Sequence, residues 1–317
     1  MTFPDHLTAS AAGALRSSVG GVFAGDESTA RGVFAGDEST AGVVLAGGRS
    51  TRMGAPKAAL EWHGSTLLYR TTALLSRTVY GPVVVVAAPG QQLPDLPPGV
   101  RVVEDPVEGL GPMQGIATGL AEVADHSRVA FVCSTDMPFL HPAFVRRVLH
   151  GFTVPEIDVV LPVARGYRQP LAAGYRTALA GLIGSLLGEG KLRPAMLFEH
   201  CRVEELADGD LLGSAHLARF DPELDSVVNV NDPEDYAAAR ERPPAEVVVE
   251  CFGALASAGR RRRTVRAGTL GAAAQAVGLP FDKYVMAALN GDQISHDPQL
   301  PLVAGDTVAF LSADAGG

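Results

Sequence analysis

Five short apolar runs recur through the middle of the chain: Val43–Ala46, Val83–Ala88, Val100–Glu104, Val129–Cys133 and Val159–Pro162. They are rich in valine and continuous rather than alternating, the pattern of strands covered on both faces. Between them, Thr66–Thr78, Pro112–Val123 and Pro142–Leu149 carry apolar residues at helical spacing. Buried strands that alternate with helices are satisfied by layering, so the rhythm predicts an α/β domain with a mostly parallel sheet and helices on both faces. In such sheets ligands sit beyond the carboxyl ends of the strands. Functional residues are therefore sought in the segments that follow each run.

Apolar residues make up 47% of the 317, enough for a large core and for more than one domain. The 26 basic and 35 acidic residues leave a formal charge of −9, which argues against a nucleic-acid-coating protein. No apolar run approaches the roughly 18–20 residues needed to cross a bilayer. The N-terminal stretch holds Asp5 and no compact apolar segment of signal-peptide type. Cys133, Cys201 and Cys251 are odd in number and form no C-x-x-C pair, which fits a reducing compartment. The expectation is an acidic, soluble, cytoplasmic protein with no nucleic-acid or membrane partner.

Composition divides the chain. Residues 1–41 are small and polar, and the segment Gly21–Ala30 is repeated as Gly32–Ala41. Two copies cannot build a solenoid, so 1–41 is read as a disordered leader. Residues 42–240 carry the strand–helix rhythm, and Arg242-Pro243-Pro244 within 241–245 reads as a stiff linker. Beyond it, Glu246–Phe252 and Arg260–Arg266 read as a hairpin, and Thr269–Val277 as a helix capped by Thr269 and stopped by Gly278. Tyr284–Asn290 and Thr307–Leu311 read as strands, the first ending in the turn signal Asn290-Gly291-Asp292. Residues 246–317 are thus a small β-β-α-β-β domain. The run Arg260–Arg263 reads as its solvated turn.

The segment Leu45-Ala46-Gly47-Gly48-Arg49-Ser50-Thr51-Arg52-Met53-Gly54-Ala55-Pro56-Lys57 follows the first run. Gly47 and Gly48 leave room for a nucleotide against the backbone, whose amides can hold phosphate oxygens. Arg52 and Lys57 bring positive charge to where a triphosphate would sit. The spacing is neither G-x-x-x-x-G-K-[ST] nor G-x-G-x-x-G. Asp136, in Cys133-Ser134-Thr135-Asp136-Met137-Pro138, closes the fourth run. A carboxylate at such a strand end is where Mg²⁺ would be held for phosphoryl chemistry. Weaker elements are Glu104-Asp105 before Gly109-Leu110-Gly111-Pro112, Arg168-Gln169-Pro170-Leu171 opening a strand, and Asn229-Val230-Asn231-Asp232-Pro233 leading into a helix. Each alone is more often an ordinary cap or turn. His63, His126, His141 and His200 show no pairing pattern of a base or metal cluster.

Together, LAGGRSTRMG-x-x-K, Asp136-Met137-Pro138, GLGPMQGI and N-x-N-D-P-E-D resemble the molybdenum-cofactor guanylyltransferases, part of a larger group of nucleotidyltransferases with a Rossmann-like fold. The resemblance runs from Gly42 to about Arg240. It implies that Leu45, Ala46, Gly47 and Lys57, with Gly48 in the same loop, contact GTP, that Asp105 binds the nucleotide, and that Asp136 binds both nucleotide and Mg²⁺. Lys57, Asp136 and Arg52 are the implied catalytic groups, with Asn229 and Asn231 as further candidates. A family nucleotide contact after the second strand has no clear match in Ala87-Ala88-Pro89-Gly90. The implied reaction transfers GMP from GTP to the phosphate of molybdopterin and releases pyrophosphate. The alternative is a related enzyme using CTP, or acting on another phosphorylated acceptor.

The chain ends Ala313-Asp314-Ala315-Gly316-Gly317. After a β-β-α-β-β unit, this end resembles the ubiquitin-like sulfur carriers, such as the small subunit of molybdopterin synthase, with the match running from Ala288 to Gly317. The resemblance implies a β-grasp fold and adenylation of the Gly317 carboxylate by an activating enzyme. Conversion to a thiocarboxylate would follow, with the large synthase subunit as partner. The alternative is a protein-binding module.

Overall fold

The computed structural model describes residues 39–47, 56–107, 109–256 and 262–312. Gly48, Arg52, Gly316, Gly317 and most of the tandem repeat lie outside them. The described chain divides into two compact units at Pro243–Pro244.

The first unit opens with β1 (Thr40–Leu45), followed by a small hairpin of β2 (Glu61–Trp62) and β3 (Ser65–Thr66) and then α1 (Leu67–Ser76). Next come β4 (Val83–Ala87), β5 (Arg101–Glu104), α2 (Pro112–Val123), β6 (Val129–Ser134) and α3 (Pro142–Leu149). Proline at the first position starts both α2 and α3, where a missing N–H costs nothing. Then β7 (Val159–Ala164), β8 (Tyr167–Arg168) and β9 (Ala172–Arg176) lead to α4 (Leu179–Gly188) and the short α5 (Pro194–Leu197). The unit closes with β10 (Val203–Ala207), α6 (Asp208–Leu212), α7 (Ala215–Phe220) and α8 (Pro233–Glu241).

The sheet order is β10-β7-β9-β6-β1-β4-β5, with β8 paired to β7. Strands β6, β1, β4 and β5 are mutually parallel, as is β10 with β7. The sheet is nevertheless mixed, because β9 runs antiparallel to both β7 and β6. The reason is the connection: Arg165 and Gly166 take positive φ of 54° and 82°, and the chain turns straight back. A parallel partner would have needed a crossover of a dozen residues or more. Strand β10 went unread because its Val-Glu-Glu-Leu-Ala sequence is mostly exposed and charged.

Helices cover both faces of β1. On one, Leu75 of α1 lies against Gly42, where an added Cβ would meet its Cδ1 at 3.0 Å. On the other, Met113, Ile116, Leu120 and Val123 of α2 join Val43, Leu45, Val84 and Val86 in one buried cluster. The approach is close: a Cβ on Gly119 would stand 2.3 Å from Val43 Cγ1, so only glycine lets α2 sit this near the strand.

The leader boundary moves. Strand β1 begins at Thr40, and Thr40 and Ala41 pair with Val129 and Ala130 of β6, although their composition places both in the disordered segment. The Thr40 carbonyl accepts from the Gly81 amide at 2.7 Å and its hydroxyl from the Tyr80 amide at 3.4 Å. Ser39 and Ser127 hydroxyls meet at 3.1 Å. A chain begun at Gly42 loses all three contacts, each worth about 0.5–1.5 kcal/mol. Its thermal midpoint should fall about 4 °C or more below that of a chain begun at Ser39. Scanning calorimetry reads this directly, and equal midpoints would show that residues 39–41 do not secure the strand.

The second unit contains β11 (Glu246–Cys251), β12 (Arg262–Arg266), α9 (Leu270–Ala276), β13 (Val285–Leu289), β14 (Gln293–Ser295) and β15 (Thr307–Ser312). Its order is β12-β11-β15-β13-β14, with only β11 and β15 parallel. Thr269 caps α9 by accepting from the Ala272 amide at 3.3 Å. The sequence reading lacked β14, which is too short to show a period. Asn290 and Gly291 turn the chain into it with φ of 54° and 87°. Arg262 and Arg263 belong to β12 rather than to a solvated turn, and Arg262 pairs with the buried Glu250 at 2.8 Å.

The three cysteines are free thiols. Among the described residues, no helix is long and apolar enough to cross a membrane.

Candidate functional site

Parallel pairing aligns the ends of four strands. Ser134, Leu45, Val86 and Val103 occupy one register row across β6, β1, β4 and β5. Asp136 and Asp105 each lie two residues beyond that row. With strands about 4.8 Å apart, three steps separate the two carboxylates by roughly 14 Å of sheet. They cannot act on one atom, but they can hold opposite ends of an elongated ligand lying across the strand ends.

At the β6 end, Lys57 Nζ donates to Asp136 Oδ2 at 2.8 Å and to Asn231 Oδ1 at 3.4 Å. Lys57 and Asp136 are largely screened from solvent, with side chains 21% and 18% exposed. The Ser134 hydroxyl donates to Asp136 Oδ1 at 2.5 Å. The Asp136 carbonyl accepts from the Val230 amide at 2.9 Å, and this bond draws the Asn229–Asp232 segment to the site. Asp232 then caps α8, accepting from Glu234 and Asp235 amides at 3.0 and 2.9 Å. Asn231 is thereby placed on Lys57, whereas Asn229 is simply exposed.

At β1 the glycine loop starts differently from the simplest expectation. The amides of Ala46 and Gly47 both donate to the Val86 carbonyl, at 2.9 and 3.2 Å. The Leu45 carbonyl accepts from the Thr135 hydroxyl at 3.0 Å. Residues 45–47 therefore offer a ligand a close backbone surface, not free amides. Gly47 suits it, since a Cβ there would press on the Ala88 nitrogen at 3.3 Å.

Gln91 went unread in the sequence. Its Nε2 donates to the Ala46 carbonyl at 2.9 Å, and its Oε1 accepts from the Ala88 amide at 2.9 Å. One carboxamide thus ties the glycine loop to the segment after β4. A lone glutamine beyond Pro89-Gly90 carries no periodic or motif signal, so only the folded contact could reveal it.

Asp105 closes β5, its amide donating to the Ala87 carbonyl at 2.9 Å. Its Oδ1 accepts from the Thr118 hydroxyl of α2 at 2.9 Å. Burial pushes its pKa above the usual carboxylate value, and the Thr118 bond pulls the other way.

A second cluster braces the Lys57 side. Trp62 of the β2–β3 hairpin is buried edge-on against Phe139 and beside Tyr236 of α8. The Tyr236 hydroxyl donates to the Glu61 carbonyl at 2.5 Å, and Arg240 pairs with Glu61 at 2.6 Å. Burial and the Arg240 guanidinium both hold the His63 pKa below its usual value. The histidines do not gather at the site: His141 caps α3, accepting from the Ala143 amide at 3.0 Å. Arg168 of β8 pairs with Glu205 of β10 at 2.6 Å.

Among the described residues, no three or more His, Cys, Asp or Glu side chains cluster as a metal cage. Asp136, flanked by the Ser134 hydroxyl, offers the hard oxygen donors that suit a cation keeping most of its shell as water and phosphate, the habit of Mg²⁺.

A family model described as a MobA-like NTP transferase domain matches residues 42–205. A probable molybdenum cofactor guanylyltransferase of Mycobacterium tuberculosis (strain ATCC 25618 / H37Rv) is 41% identical over 151 residues, covering 47% of this chain and 73% of the relative. The protein of that name from Mycobacterium avium (strain 104) is 37% identical over 177 residues, covering 55% and 86%. Among solved structures, molybdopterin-guanine dinucleotide biosynthesis protein A from Archaeoglobus fulgidus shares the fold at 23% identity with a TM-score of 0.50, covering 63% of this chain and 97% of that one. The paired lysine and carboxylate at the strand ends thus sit within a matched domain, and the chain belongs to the MobA-like NTP transferase family.

Proposed function

We propose that the first unit transfers GMP from GTP to the terminal phosphate of molybdopterin. An acceptor phosphate oxygen attacks the α-phosphorus, the bond to the β-bridging oxygen breaks, and pyrophosphate leaves with that electron pair. The observation that carries the reading is the Lys57–Asp136 pair, held at 2.8 Å at the end of β6. Its chemistry is that of a phosphate site: a cation for phosphate oxygens beside a carboxylate suited to a divalent metal. Asp136 and Ser134 are the residues that would hold Mg²⁺. Bound there, the ion supplies positive charge against the phosphates of substrate and leaving group.

The protein's own work is alignment and charge. Lys57 places its ammonium on the phosphates, and Asn231 fixes that ammonium by accepting from it. Leu45, Ala46 and Gly47 give the nucleotide a flat backbone to lie on. Asp105, roughly 14 Å along the sheet, accepts hydrogen bonds at the nucleoside end. Gly48 and Arg52, in the same loop, would add contacts to the phosphates. The relatives named as guanylyltransferases support guanine as the base and molybdopterin as the acceptor.

The second unit is proposed to be a β-grasp sulfur carrier of the same cofactor route, working in the cytoplasm. Supporting this are its mixed five-stranded order β12-β11-β15-β13-β14 and its intervening helix, together with the glycine pair Gly316-Gly317 that follows β15 in the sequence. Its partners would be an adenylating activating enzyme and the large subunit of molybdopterin synthase.

The test of the transferase reading is a nucleotide competition with molybdopterin and Mg²⁺. Purified full-length protein should release pyrophosphate and form the guanylylated acceptor with GTP, and turn over CTP or ATP at under about a tenth of that rate. Preferential use of CTP, or no product on this acceptor, would overturn it.

A further inference from the structure

Asp105 does not stand alone at the end of β5. Gln114 and Thr118 lie four residues apart on α2, hence on one helix face. Gln114 Nε2 donates to Thr118 Oγ1 at 3.2 Å, and Thr118 Oγ1 donates to Asp105 Oδ1 at 2.9 Å. A hydroxyl has a single proton. With the Gln114 amide donating to its oxygen, the Thr118 proton is directed to the carboxylate. The chain of donors therefore ends on Asp105 Oδ1, which fixes the plane of the carboxyl group and leaves Oδ2 to face a donor on a ligand. Gly115, between the two donors, lies beside Oδ2: a Cβ there would be in van der Waals contact with it at 3.5 Å. Burial opposes ionisation of this carboxyl, and the Thr118 bond is the contribution that favours it.

We propose that Thr118, backed by Gln114, is a positioning residue for nucleotide binding: it holds the Asp105 carboxyl group oriented to accept from N–H or O–H groups of the nucleoside. This rests on the reading of Asp105 as a nucleotide contact. The arrangement explains why a helix that otherwise packs by Met113, Ile116 and Leu120 directs a polar pair toward the strand ends. Its role is distinct from that of Lys57, which bears on the phosphates.

The experiment compares Thr118→Val, which keeps the shape and removes the hydroxyl, with Thr118→Ser, which keeps the hydroxyl. Both are read in the full-length protein by calorimetric titration with GTP and by steady-state kinetics. Thr118→Val should weaken GTP binding and raise KM about tenfold, the scale of one hydrogen bond to a charged group, with kcat within about twofold. Thr118→Ser should stay within about twofold of the parent in both, and Gln114→Ala should weaken binding about threefold. If Thr118→Val binds GTP as the parent does while Asp105→Asn binds it far more weakly, the positioning role is wrong and the reading of Asp105 stands. If Asp105→Asn itself binds GTP unchanged, that reading fails and the inference falls with it. Equal losses of kcat and thermal midpoint in both the Val and Ser variants would make Thr118 a helix-packing residue and overturn the proposal.

Discussion

Asp136→Asn should lower nucleotidyl transfer by at least about a hundredfold while leaving the thermal midpoint within a few degrees of the parent. The substitution keeps the volume and the Ser134 hydrogen bond, so the strand end has little reason to rearrange. What it removes is the charge that faces Lys57 at 2.8 Å and that would hold a divalent cation. Two effects then combine, since the phosphates lose an anchored metal and the Lys57 ammonium loses its partner. Lys57→Met in the same assay should raise KM for GTP about tenfold or more, because a charge-assisted bond to phosphate is lost. Pyrophosphate release with Mg²⁺ as the sole metal measures both. Near-parental turnover by Asp136→Asn would remove this carboxylate from the reaction, and unchanged GTP constants for Lys57→Met would remove the lysine.

On the proposed sulfur-carrier reading, deleting Gly316-Gly317 should abolish activation of the second unit and leave nucleotidyl transfer untouched. The reactive group of a sulfur carrier is its terminal carboxylate, for which no side chain substitutes. A glycine pair presents that carboxylate on a backbone slim enough to enter a narrow active-site channel. With a competent activating enzyme and ATP, the full chain should form an acyl-adenylate and then a thiocarboxylate. Replacement of one oxygen by the heavier sulfur is read by intact-mass spectrometry. Absence of both species in the full chain would make the unit a ubiquitin-like binding module. A loss of guanylyl transfer on deletion would instead tie the tail to the first unit's chemistry.

Local signals carried the reading of the sequence wherever the physics is local. Pro112 and Pro142 set the starts of α2 and α3 because proline suits the first helical position and little else in a helix. The valine runs at 83, 129 and 159 became β4, β6 and β7 because β-branched residues without alternation fit a strand covered on both sides. Thr269 and Gly278 bounded a helix by cap chemistry alone. Lys57 stands out as a base in the glycine-rich loop, and Asp136 as a carboxylate closing a buried strand.

Where the reading stopped, the deciding contact joins distant parts of the chain. The antiparallel insertion of β9 depends on which strands β7 and β6 accept as neighbours, and periodicity is blind to order within a sheet. Strand β1 begins at Thr40 because β6 and the Tyr80–Gly81 turn pair with it. Ser39-Thr40-Ala41 repeats Ser28-Thr29-Ala30 of the first copy, so a repeat rather than a strand period is what the sequence displays there. Asn231 reaches Lys57 across 174 residues of sequence, Gln91 reaches Ala46 across 45, and Thr118 reaches Asp105 across 13. By itself, the sequence determined the α/β class and most strand and helix positions, and it singled out the two charged residues that pair at the end of β6. Tertiary structure alone decided sheet order, where the first strand begins, and which neutral side chains hold those charges in place. The reason is that hydrogen bonds between side chains need specific distances, and only the packed sheet brings residues so far apart in the chain to those distances.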